Sequence, residues 1–188
     1  YVTLEEGRRA LFMRIVRWKY VLLWALLILS GLSLDSFSYR IIGLKKPLEN
    51  RLAKDADVIW SEITASQDKT VVKVGLKYVD DLSLAHSRIE ETVRDILGSR
   101  PYELVLKDAS NETLEEAYGS IHYFIEEARI RGNFGEMARE SASVLKQAGI
   151  DGFRLTVNGG RIYVQLRLED NYLYRIVDLK EGKGGTEL

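Results

Sequence analysis

From residue 47 onward, the spacing of apolar and polar positions divides the chain into elements of recognisable type. Pro47 suits the first turn of a helix, where its missing N–H is not needed. Leu48, Leu52, Ala56, Ile59 or Trp60, and Ile63 continue at helical spacing, so a helix is expected there, with a strand over 58–64 as the alternative. Ser66-Gln67-Asp68 reads as a turn. Val72, Val74, Leu76 and Tyr78 alternate with Lys73, Gly75 and Lys77, the period of a half-buried strand. Asp80, Asp81 and Ser83 are candidate N-caps for a helix with the stripe Leu82, Ala85, Ile89, Val93 and Ile96, which ends at Gly98. Beyond Pro101, residues 102–107 return as a strand. Asn111 then opens a helix whose face is Leu114, Ala117 or Tyr118, Ile121, Ile125 and Ala128, interrupted at Gly132-Asn133. A further helix from Phe134 carries Met137, Ala138, Ala142 and Leu145. It closes at Gly149, with Ile150 placed for the apolar contact of a Schellman end.

The last third changes to a period of two. Asn158-Gly159 is a strong type I′ hairpin signal, because both central positions of that turn need positive φ. With that loop Val157 faces Gly160, Leu155 faces Ile162 and Phe153 faces Val164. A second loop at Asp170-Asn171 sets Leu168 against Leu173, Val164 against Val177 and Ile162 against Leu179, giving a three-stranded antiparallel meander. Arg175 then falls opposite Leu166 on the apolar side, where a charge needs the sheet edge or a shifted register. The opposite side displays a face containing Arg154, Thr156, Arg161, Tyr163, Gln165, Arg167, Tyr172 and Tyr174.

The expected class is mixed α+β: a two-layer domain over 69–180, in the order strand-helix-strand-helix-helix followed by the meander. A different pattern precedes it. Residues 20–34 form an apolar run without a charge or a polar face, preceded by Arg14, Arg17 and Lys19. A cationic flank before an apolar run is the arrangement read by export machinery, and it keeps the amino end cytoplasmic. Fifteen residues span roughly 22 Å, short of a hydrocarbon core of about 30 Å. Trp18 and Lys19 at the interface, and residues 36–39 beyond Asp35, extend the run toward a full crossing. The expectation is a basic leader (1–19), a signal anchor (20–39), a connector (40–68), the extracytoplasmic domain and a disordered tail (181–188). Secretion after cleavage near Ser33 is the alternative.

Composition sharpens this picture. Apolar residues make up 46% and charged residues 29% of 188, as in ordinary globular domains. The net charge of −1 hides an asymmetry: residues 1–34 carry +3, and the remainder carries −4. An acidic body lacks the basic footprint that phosphate neutralisation requires, so nucleic acid is not an expected partner. The absence of cysteine removes thiolate catalysis, thiolate metal sites and disulfides.

Catalytic chemistry finds little material. His122 and Glu126 share a helix face, but two ligands without a third read better as a solvated pair than as a metal site. His86 reads as a structural histidine. The acidic pairs Asp80-Asp81, Glu90-Glu91 and Glu126-Glu127 diverge on a helix and read as caps or solvated positions. Residues 182–186 lack the spacing and the following helix of a phosphate loop, and residues 160–166 do not match the RNP1 pattern. No cofactor, metal or enzymatic activity is expected.

Tyrosine and arginine recur at interface hot spots. The candidate interaction face is therefore Arg154, Tyr163, Gln165, Arg167, Tyr172 and Tyr174. Cross-strand stabilisation, or cover by helices, is the competing reading of the same face. The strand-helix-strand-helix-hairpin order over about 70–180 resembles the small ring-forming modules of bacterial sporulation and secretion complexes. Those modules place a helix after the hairpin, where this chain supplies a third strand. The expected function is a membrane-anchored, non-catalytic interaction domain of a cell-envelope complex, held through residues 20–34 and binding envelope proteins or itself. A ligand-binding sensor domain and an envelope hydrolase are the alternatives.

Overall fold

A computed structural model describes residue 24 and residues 43–66, 68–150 and 152–179. The chain divides into two compact units, residues 1–46 and 47–188, and the fold described is that of the second. Apart from Trp24, the apolar run at 20–34 lies outside the described residues, as do the leader and the tail at 181–188. Among the described residues no helix is long and apolar enough to cross a membrane.

The described part is a mixed α+β fold with two three-stranded sheets. A helix, α1, covers residues 43–52, and its Leu48 and Leu52 are buried. The helix expected over the rest of 47–64 is replaced by a strand, β1 (Val58–Ala65). Five positions match a helical period there, but Val58, Ile59, Trp60, Ile63 and Thr64 are β-branched or aromatic and favour a pleated surface. The connector thus contributes a strand to the domain. β1 pairs antiparallel with β2 (Thr70–Leu76), and β2 pairs parallel with β3 (Tyr102–Lys107). A parallel pair needs a crossover, which is helix α2 (Leu82–Leu97). α2 starts where expected, with the Asp81 carboxylate accepting from Leu84 N–H at 3.1 Å, and it stops at Gly98, whose φ is 62°.

The second sheet is the expected antiparallel meander of β4 (Gly152–Asn158), β5 (Arg161–Leu168) and β6 (Asn171–Asp178). Its inner face is covered by helices α3 (Glu112–Arg131) and α4 (Phe134–Gln147). Leu114, Ile121, Ile125 and Leu145 meet Ile162, Val164, Leu166 and Leu173 in one fully buried cluster. α4 closes as the sequence implies, with Ile150 N–H reaching back to Leu145 C=O at 2.9 Å and its side chain wholly buried.

Both hairpin registers differ from expectation by two residues. The first loop is Gly159-Gly160, with φ of 58° and 78°, so Leu155 faces Val164 and Phe153 faces Leu166. Two glycines meet the positive φ demanded by a tight hairpin turn at lower cost than asparagine followed by glycine. The second loop is Glu169-Asp170, which puts Leu166 opposite Leu173 and Arg175 opposite Val164. A shift of two preserves every side chain's face, so the inner and outer sets are as expected. Arg175 remains on the helix side but is not a lone charge. It pairs with Asp108 at 3.0 Å and with both Glu115 oxygens at 2.5 and 2.6 Å, and its guanidinium lies 5.5 Å from the Tyr118 ring centre.

Candidate functional site

The outer face of the meander carries the expected residues, but it is closed. Tyr163, Gln165, Tyr172 and Tyr174 are 2%, 2%, 8% and 4% exposed; only Arg154 and Arg167 of the six reach solvent freely. The face meets α2 and the segment of residues 76–82 that leads into it. That segment leaves the β2 ladder before the helix begins, so its backbone groups need other partners once buried. Tyr172, Tyr174 and Gln165 supply them. Tyr172 OH donates to Leu76 C=O, and Tyr174 OH accepts from Val79 N–H at 2.7 Å and donates to Lys77 C=O at 3.1 Å. Gln165 donates from Nε2 to Val79 C=O at 2.9 Å and accepts through Oε1 from Leu82 N–H at 2.8 Å. Arg154 donates to Asp80 C=O at 2.7 Å, and Arg167 lies 4.6 Å over the Tyr78 ring. Burial raises the Tyr174 hydroxyl well above the ordinary phenol range, so it stays a donor throughout the working pH range. Tyr172, Tyr174, Gln165 and Arg154 clamp this segment, and the burial of Tyr163, Gln165, Tyr172 and Tyr174 corrects the expectation that the whole face is displayed. Those four buried residues have no free surface to offer a partner.

Beside the clamp, a cleft of about 770 Å³ opens between α2 and the β4–β5 turn, lined in part by Ser87, Glu90, Arg94, Arg161, Tyr163 and Asp178. Its centre is Arg161, whose two terminal nitrogens bind Glu90 at 2.8 and 3.1 Å and whose Nε binds Asp178 at 2.9 Å. Arg94 lies 3.6 Å from the other side of Glu90. His86, 6% exposed, faces Tyr163 OH at 3.3 Å and Glu90 at 3.9 Å. The hydrogen bonds from Arg161 hold the Glu90 carboxyl below the usual carboxylate range against the opposing effect of burial. Burial lowers His86, with Glu90 opposing and Arg161 adding to the shift. Glu90 is thus held as an anion by Arg161, and burial favours the neutral form of His86. Another cleft, about 390 Å³, is similar: Arg88 bridges Asp55 at 2.7 and 3.1 Å and Asp57 at 2.5 Å.

This network predicts a pH dependence. His86 folds with a pKa below its ordinary value of about 6.5, so the unfolded chain takes up the proton first. Its stability contribution is complete above about 6.5 and is lost as pH falls from there toward the folded value; Glu90 adds a further loss below about 4.5. Urea midpoints measured from pH 7.5 to 5 are expected to fall, and His86→Gln should flatten that slope. An equal slope in the variant would remove His86 from the account.

The remaining histidine is also placed. His122 Nδ1 lies 3.4 Å from Tyr118 OH, while Glu126 bonds Arg129 at 2.9 Å, so the two do not converge. Among the described residues no group of three or more His, Cys, Asp and Glu side chains is arranged to hold a metal ion.

The feature that sequence reasoning missed is the outer face of the first sheet. The β1–β2 register shifts between Val58 and Trp60, a bulge that inserts Ile59. Bulges re-aim side chains. Ile59 and Trp60 end 64% and 45% exposed, and the Trp60 indole lies across Gly75, where a Cβ would stand 2.2 Å from Nε1. Val71 and Val105 share this face at half burial, flanked by the Lys73–Glu62 pair at 3.2 Å and the Lys69–Glu103 pair. Gly75 within an otherwise alternating strand was the available signal, since an interior glycine often marks a close approach. Comparison with protein-family models and with curated proteins returns no match to this chain.

Proposed function

We propose that this domain is a non-catalytic interaction module of a cell-envelope assembly, anchored through residues 20–34, and that its contact surface is the outer face of the β1–β2–β3 sheet. The observation that carries the reading is the bulge at Ile59, which leaves Ile59 and Trp60 exposed and lays the Trp60 indole over Gly75. A large aromatic laid flat on a sheet loses little further side-chain freedom on binding, and tryptophan is prominent among interface hot spots. The clefts support a sensor or hydrolase reading less well, because the charges at their centres are matched within the chain.

The test is formaldehyde crosslinking of the tagged full-length chain in cells, followed by membrane fractionation. The chain is expected in the membrane fraction within a crosslinked complex of fixed stoichiometry. Ile59→Ser combined with Trp60→Ala is expected to reduce that complex at least about tenfold with a smaller proportional effect on the urea midpoint, since Ile59 is 64% and Trp60 45% exposed. An undiminished complex from the double variant would refute the assignment of this surface.

A further inference from the structure

We infer that β1 pairs antiparallel with β1 of a second copy of this chain across a two-fold axis, joining the two three-stranded sheets into one of six strands. The inference goes beyond the outer face proposed above: it concerns the free edge of β1 and names the partner of that edge. β1 is an edge: the sheet order is β1-β2-β3, and among the described residues no strand pairs with its other side. The phase of its free groups follows from one hydrogen bond, Ser66 N–H to Lys69 C=O at 3.0 Å. Bonding direction alternates along an antiparallel ladder, so Thr64 and Glu62 also turn toward β2. The N–H and C=O groups of Ser61, Ile63 and Ala65 therefore point away from the sheet, a template for another strand.

The usual guards of such an edge are sparse here. From 61 to 65 there is no lysine or proline and one charge, Glu62; the bulge guards only the start of the strand. That charge selects the register. Setting Glu62 against itself is excluded by like-charge repulsion. Centring the pair on Ile63 places Ser61 opposite Ala65 of the second copy and Glu62 opposite its Thr64. In that register all three outward-pointing residues of each strand bond, and the new ladder stays clear of the bulge. The contact is isologous, as a closed dimer requires.

The absence of native cysteine allows a direct test with the full-length chain purified in mild detergent. Glu62 and Thr64 are both exposed, so Glu62→Cys and Thr64→Cys leave the core intact. In the proposed register residue 62 of one copy faces residue 64 of the other with Cα atoms about 4.5 Å apart, inside disulfide range. Like positions are diagonal, at about 7–8 Å, outside it. Under mild oxidation a mixture of the two variants is expected to yield at least about tenfold more crosslinked dimer than either alone. Adding Ala65→Pro to both, which removes an outward N–H without touching the β2 ladder, should lower that yield several-fold with unchanged circular dichroism. Dimer formed equally by each variant alone, or no dimer in the mixture, would overturn the inference. So would crosslinking to a different protein in place of a second copy. Loss of the cellular complex on replacing Ile59 and Trp60, combined with no dimer here, would retain the surface and reject self-pairing.

Discussion

Replacing Gln165 by leucine is expected to destabilise the domain by about 2–6 kcal/mol, from two buried backbone groups left unsatisfied at about 1–3 kcal/mol each. Leucine is similar in volume, so the cost arises from the orphaned Val79 carbonyl and Leu82 amide rather than from a cavity. Both groups lie where the chain passes from the first sheet into α2, and Leu82 is the first residue of that helix. The effect should appear in urea unfolding as a lowered midpoint with an unchanged slope. Arg154→Ala serves as the comparison, because its bond to Asp80 C=O is exposed and should contribute less than about 1 kcal/mol. If the two variants proved equally mild, the clamp would not be what joins the meander to α2. Tyr174 holds the N–H of the same Val79 whose carbonyl Gln165 holds, so the two side chains share one peptide segment and their replacements are expected to be non-additive.

Arg161→Met should lower stability at pH 7 by about 1–3 kcal/mol. This is less than the figure for a fully buried pair, because Arg161 and Glu90 keep 29% and 18% of their side-chain surface. Its size changes with pH in a specific way. Arg161 is one of the groups that depress His86, and its hydrogen bonds are the main cause that depresses Glu90. Burial, the main cause of the His86 shift, remains, but without Arg161 the pull of Glu90 on His86 is less offset, so the variant should lose somewhat less stability than the parent chain as pH falls from 7 to 5. Parallel pH curves for parent and variant would contradict this coupling.

Much of the architecture was legible along the chain. The Val72–Val74–Leu76 alternation, the α2 and α3 stripes with their Asp81 and Asn111 caps, and the meander all lie where spacing puts them. β1 was not, because eight residues satisfy a period of 3.6 and a period of two almost equally well; pairing with β2 settles the choice. The first hairpin register was misplaced because two adjacent dipeptides, Asn158-Gly159 and Gly159-Gly160, both suit a tight turn.

The split between sequence and tertiary structure is clearest on the meander's outer face. Alternation alone determined that Tyr163, Gln165, Tyr172 and Tyr174 share one side, since the strand period is two and survives a register error of two. Whether that side meets water depends on where α2 and its leading segment pack, and local spacing carries no record of that. Backbone carbonyls and amides are the clamp's partners, and every residue has them, so no pattern of side chains can announce the match. The bulge at Ile59 is likewise a property of the β1–β2 pair. Only the paired strands decide that Trp60 lies over Gly75 and faces outward.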